Sequence, residues 1–150
     1  MIKIIPLTKD DFCHKNTPSI FHDIEYARYY YCVSCNEVVV FKFSMQSEIK
    51  PTVMKLDNLI IVGFDQVVGF FCLKDNELIK KIEFSSFFYN FEVDERYLFI
   101  VCEIEVIVLT KETLEEYKYI DFVDYIDHVK LGQDEISVYL IDGSIENISI

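Results

Sequence analysis

By type, the residues that could do chemistry are five cysteines, three histidines and a surplus of carboxylates. Cys32-Val-Ser-Cys35 has the spacing of a redox pair or of half a zinc site. No second Cys pair accompanies it, and it lies in an apparent strand, where positions three apart point to opposite faces. Cys13 and His14 pair a nucleophile with a base in name only, because neighbours in an extended chain point apart. His22 and His128 stand singly. Cys72 and Cys102 sit inside apolar runs and read as small core hydrophobes. Four scattered glycines cannot build a phosphate-cradling loop. A Gly-x-Ser-x-Gly elbow and a His-Glu-x-x-His helix are also missing from the sequence. The expectation is a non-enzyme with no metal or cofactor. Its odd number of thiols and short N-terminal apolar run point to a cytoplasmic protein with reduced cysteines.

The carboxylates carry a collective signal. The chain has 26 Asp and Glu against 14 Lys and Arg, a net charge of -12. Residues 1–91 hold 11 acids and 10 bases, whereas residues 92–150 hold 15 acids and 4 bases, a net charge of -11. Such a field opposes nucleic acid and anionic lipid and attracts a basic protein. The acids are spread over several strands and turns, without the spacing of a calcium loop. Tyr117, Tyr119, Tyr125 and Tyr139 are interleaved with them, and tyrosine among charges suits a binding surface. The candidate contacts are Glu103, Glu105, Glu115, Glu116, Asp121, Asp124 and Asp127, with Tyr117 and Tyr125 as anchors. Tyr29, Tyr30, Phe87, Phe88 and Phe91 read as core.

The elements that must position these residues are strands. Apolar runs at 59–62, 67–73, 98–101 and 105–109 are strand-length and too short to span a membrane. Alternating segments at 77–84 and 114–122 read as half-exposed edge strands guarded by charge. Extended pieces at 86–93 and 123–131 follow them. The pattern recurs after 39 residues, and again from 136. An earlier hairpin spans 29–33 and 38–43. The fold class is all-β, with antiparallel meander repeats of about 40 residues that resemble propeller blades. About three blades fit, so an open, partial propeller, or a dimer that completes one, is expected; a plain twisted antiparallel sheet or sandwich is the alternative. One domain covers 1–150, with 1–26 as an N-terminal strand and loop cap and 27–150 as blade-like repeats. Residues 7–19 read as loop. Open sheet edges also allow a homodimer.

A small acidic chain without catalytic motifs resembles the immunity proteins of bacterial contact-dependent growth inhibition systems. The likeness is one of size, charge and class. It implies a partner that is a cognate basic toxin, a nuclease such as an RNase, whose active site the acidic surface would cover. The alternative function is a propeller-like scaffold subunit of a larger assembly.

Overall fold

The computed structural model describes residues 1–150, which form fifteen strands and one short helix. The strands are β1 (Ile2–Leu7), β2 (Ser19–Phe21), β3 (Tyr29–Cys35), β4 (Val38–Met45), β5 (Thr52–Leu56), β6 (Leu59–Phe64), β7 (Val67–Cys72) and β8 (Glu77–Glu83). They continue as β9 (Phe88–Val93), β10 (Tyr97–Cys102), β11 (Glu105–Thr110), β12 (Glu116–Asp121), β13 (Ile126–Gly132), β14 (Glu135–Leu140) and β15 (Ile145–Ser149). Four sheets result, in the orders β1-β3-β4-β2, β5-β6-β7-β8, β9-β10-β11-β12 and β13-β14-β15. The chain divides into two compact units, Met1–Ser85 and Ser86–Ile150, with two sheets in each.

The repeat is real, but its phase differs from the reading of the sequence. Segment 86–93 follows β8 in the chain, yet β9 pairs with β10, through Leu98↔Val93 and Ile100↔Phe91. In the same way β13 pairs forward with β14. Periodicity fixes the length of a repeat and leaves its starting strand open. The hairpin β3–β4 grows into a full sheet because β1 adds antiparallel to β3, from Ile2↔Cys35 to Leu7↔Tyr30, and β2 adds parallel to β4.

Tight turns need left-handed backbone, which Asn and Asp tolerate. Asn36, Asp57, Asp65, Asn76 and Asp134 supply it at positive φ. Asp65 does more: its carboxylate accepts hydrogen bonds from the Gln46 and Ser47 amides at 2.9 and 2.8 Å, tying the β6–β7 turn to the segment after β4.

The first unit has an aromatic core. Phe41 and Phe43 from β4 meet Phe64 and Phe71 from the second sheet, with Phe43 stacked on Phe64 at 4.5 Å between centroids. On the other face of the first sheet lies α1 (Lys9–His14), within the segment read as loop. Thr8 caps it by accepting from the Asp11 amide, and Asp10 and Asp11 in the first turn suit the positive end of the helix dipole. Six residues are too few to show a helical period. Phe12 seats the helix, and Lys42 from β4 donates to the carbonyls of Phe12 and Lys15 at 2.6 and 2.8 Å. That buried ammonium holds the C-terminal end of the helix.

The second unit has a largely aliphatic core. Val101, Val106 and Val108, with Phe99, pack on Ile126, Ile136, Val138 and Leu140. The opposite face of the fourth sheet is polar: His128 stacks on Tyr139 at 4.3 Å, Lys130 lies over the same ring, and Ser137 donates to Asn147.

Candidate acidic interaction surface

Antiparallel strands send alternate turns to opposite ends of a sheet. In the second unit one end is built from the start of β9, the turn 103–104, the loop 122–125 and the turn 141–144. Backbone hydrogen bonds knit these together. The Glu103 amide donates to the Phe87 carbonyl at 2.8 Å, Phe122 to Ile104 at 2.8 Å, Ile126 to Glu103 at 2.7 Å, and Ile141 to Tyr125 at 3.0 Å. The opposite end is built from the turns 94–96, 111–115 and 133–134. There the Lys111 amide donates to the Arg96 carbonyl, the Lys111 ammonium to the Asp94 carbonyl, and Arg96 pairs with Asp134 at 2.8 Å.

Charge sorts between these ends. The first carries Glu103, Asp121, Asp124, Asp127 and Asp142 and no lysine or arginine. The second mixes its acids with Arg96 and Lys111. The unit's other two bases lie within strands and are engaged, Lys118 with the Ser149 carbonyl at 2.7 Å and Lys130 with the Tyr139 ring.

The candidate contacts accordingly divide. Glu103, Asp121, Asp124, Tyr125 and Asp127 gather at the base-free end. Glu115, Glu116 and Tyr117 lie toward the other, where Tyr117 packs on Tyr97 at 4.8 Å between ring centroids. A hydrogen bond with Tyr117 and burial raise the Tyr97 phenol above its ordinary value. Glu105 leaves the surface altogether. It is 2% exposed, accepts from the Ser86 amide and hydroxyl at 3.0 and 2.9 Å, and takes the Tyr119 hydroxyl as well. It begins β11, a strand buried at every position but its last, and its charge is a structural anchor. Tyr119 is therefore the reach that satisfies a buried acid.

Sequence reading overlooked the apolar part of this end. Val123 is 106% exposed, Ile141 57% and Tyr125 51%, and Phe87, expected in the core, is exposed too. Phe122 inserts into the core and throws Val123 outward at the loop tip. The available signal was a valine in a loop between two strand patterns, where burial has no claim on it. Desolvation, then the charges of Glu103 and Tyr125, raises the Tyr89 phenol above its ordinary value. Asp142 is held below the usual carboxylate range by hydrogen bonds from the Ser144 hydroxyl and amide.

The thiols offer no matching constellation. Cys32 is buried and Cys35 half-buried, three positions apart on one strand. Burial raises the Cys32 thiol. Burial first, then Glu105 and Glu103, pushes the Cys102 thiol far above its ordinary value, which keeps it protonated and inert. No group of three His, Cys, Asp or Glu side chains is placed to hold a metal ion. In the first unit an open cleft of about 450 Å³ is lined by His22, Asp23, Ser44, Asp65 and Glu83 among others. Its polar groups serve local structure: the Ser44 hydroxyl accepts from the Asp23 amide and bonds His22 Nδ1, and Gln46 donates to Asp23. No helix is long and apolar enough to cross a membrane.

No protein-family model matches the sequence, and no curated protein matches it. Solved structures do match, among them a β-propeller domain and a WD40 domain. The β-propeller domain of Cps50 (Swd1) from Myceliophteria thermophila superposes with a TM-score of 0.56 at 16% identity, over 71% of this chain and 36% of that one. The WD40 domain of coronin from Toxoplasma gondii gives 0.59 at 10% identity, over 89% of this chain and 41% of that one. The computationally designed Ika4 protein gives 0.61 at 10% identity, over 88% of this chain and 89% of that one. The chain thus spans well under half of either natural propeller domain. It is an all-β, open propeller-like repeat of antiparallel sheets, and at these identities the likeness is one of fold.

Proposed function

We propose that this protein is a propeller-like interaction module that binds a basic protein through the base-free end of its second unit. The observation that carries the reading is the sorting of charge: 15 acids and 4 bases lie in Ser86–Ile150, and none of those bases stands where Glu103, Asp121, Asp124, Asp127 and Asp142 converge. Self-repulsion of this kind lowers the stability of a compact unit, so a use for the field is the economical explanation. Val123, Tyr125 and Ile141 add exposed apolar area inside the acidic rim, the layout of an interface core within a polar surround. The first unit, with 10 bases against 11 acids, is then the scaffold.

A narrower reading is favoured by the sign and size of the charge. An immunity protein of a contact-dependent growth inhibition system would use such a surface to cover the phosphate-binding site of a cognate nuclease toxin, and electrostatic steering would speed its capture. The test is affinity capture at low salt, eluted stepwise to high salt, with bound proteins identified by mass spectrometry. A single basic protein, released by salt and nucleolytic or toxic when expressed alone, supports the narrow reading. A basic subunit of a multi-protein assembly supports the scaffold. Capture of no basic protein removes both.

A further inference from the structure

The open cleft in the first unit, about 450 Å³ in volume, has the size of a small-ligand site. It lies among the end of β4, the β6–β7 turn, the end of β8 and the segment that follows β2. Phe21 and Phe84, both half-buried, and the buried Phe64 give it aromatic walls. Asp23, Asp65 and Glu83 give it charge, and no lysine or arginine lines it.

Two of these carboxylates are fixed around one residue. Gln46 donates its amide to Asp65 at 2.9 Å and its side-chain nitrogen to Asp23 Oδ2 at 2.8 Å. The Ser47 amide donates to Asp65 at 2.8 Å, and the Glu25 and Tyr26 amides donate to Asp23 Oδ1 at 3.0 Å. All of these donors are neutral. They hold the half-buried carboxylates in place without compensating their charge, because neither Asp23 nor Asp65 forms an ion pair. A carboxylate oxygen accepts two hydrogen bonds, so Asp23 Oδ2 and both oxygens of Asp65 keep room for a further donor. Glu83 pairs with the exposed Lys81 at 3.4 Å, a surface contact that a bound cation displaces at little cost.

A ring-walled cleft with charge of one sign selects a cation that carries an apolar stem. Arginine meets this better than lysine. Its planar guanidinium donates in several directions at once, as two separate carboxylates require, and it is weakly enough hydrated to lie against a ring. The apolar surface also continues past the cleft: Ile24 and Tyr26, 82% and 64% exposed, follow Asp23 on its rim. A free amine would leave them bare, whereas residues flanking an arginine in a polypeptide would cover them. We propose that the cleft receives an arginine side chain of a bound polypeptide, with its guanidinium between Asp23 and Asp65 and its neighbours on Ile24 and Tyr26. This site is separate from the acidic end of the second unit and goes beyond the reading above.

The probe is the blocked peptide acetyl-Leu-Arg-Leu-amide, titrated into the full chain, with citrulline or lysine in place of arginine in two controls. Amide chemical shifts are read by NMR. The arginine peptide should shift Ile24, Tyr26, Gln46 and Asp65 saturably. The citrulline peptide, of the same shape but neutral, should not, and the lysine peptide should bind more weakly. Asp23→Asn and Asp65→Asn each keep an acceptor oxygen for the local amides and remove the charge. Each should weaken binding of the arginine peptide by about tenfold. Shifts of the β6 and β7 amides report whether a variant is folded; should Asp65→Asn unfold, Asp23→Asn carries the same expected loss. No saturable binding, equal binding of either control peptide, or an affinity unchanged by the substitutions overturns the proposal. Free L-arginine bound as tightly as the peptide would overturn the choice of a polypeptide. Shifts confined to residues 122–125 and 141–144 would sink the cleft and leave the acidic end of the second unit standing.

Discussion

The two units are built from the same kind of sheet and differ in what they do with their side chains. Met1–Ser85 is nearly neutral, packs phenylalanine on phenylalanine, and ties its turns down with Asp65, Ser44 and the buried Lys42. Ser86–Ile150 packs mostly valine, isoleucine and leucine, and concentrates nearly all of the chain's net charge. The shift in charge seen in the sequence between residues 91 and 92 falls within a few residues of the boundary between the units. One unit is organised around its core and the other around its surface, so substitutions should affect them differently.

The largest effect belongs to the aromatic core. Phe43→Ala removes a fully buried ring stacked on Phe64 and should cost about 3–5 kcal/mol of stability. Chemical denaturation followed by circular dichroism checks this; a loss below about 1 kcal/mol would show a core less tightly packed than described. Gly69→Ala comes next. A methyl group there would stand 2.8 Å from the Phe21 ring and 3.2 Å from Leu78, and the overpacking should cost about 1–3 kcal/mol.

In the second unit, Glu105→Ala strands the buried amide and hydroxyl of Ser86 and should cost on the order of 1–3 kcal/mol, whereas removing any exposed acid at the base-free end should leave stability within about 0.5 kcal/mol. Equal losses would mean that the exposed acids are also structural. Cys102 sharpens the same contrast through pH. Its thiol is raised in the folded state from an ordinary value of 9.0 by burial, then by Glu105 and Glu103. A raised folded value favours the protonated form, so this contribution is whole below pH 9.0 and is lost as pH rises toward the folded value. Cys102→Ala should flatten the alkaline fall in unfolding free energy relative to wild type; parallel curves would show that the thiol is not desolvated. The smallest effect is at the mixed end. Arg96→Ala breaks an exposed ion pair with Asp134 and should cost about 0–1 kcal/mol, screened further by salt.

What the sequence made legible was set by period and by sign. Runs such as Leu59-Ile-Ile-Val and Leu98-Phe-Ile-Val have the length and composition of buried strands, so the repeat and the all-β class follow from them. The grouping of strands into sheets does not, because short connections join β9 to both β8 and β10 and only tertiary packing chooses between them. Helix α1 left a capping signal at Thr8 and Asp11 but no period. For the site, the excess of acids was plain, while its division between two ends depends on which turns share an end. Glu105 and Glu103 are two residues apart and differ in burial, Glu105 being fully buried at the start of β11 and Glu103 half-buried in the turn before it.

The most direct test of the central claim removes equal charge from the two ends of the second unit. Asp121→Asn, Asp124→Asn and Asp127→Asn are combined in one variant, and Glu112→Gln, Glu115→Gln and Glu116→Gln in another. Each is used to capture basic proteins from the native cells at low salt. Loss of capture in the first variant alone is the predicted result. Equal loss in both, or capture undiminished in the first, would contradict a binding surface at the base-free end.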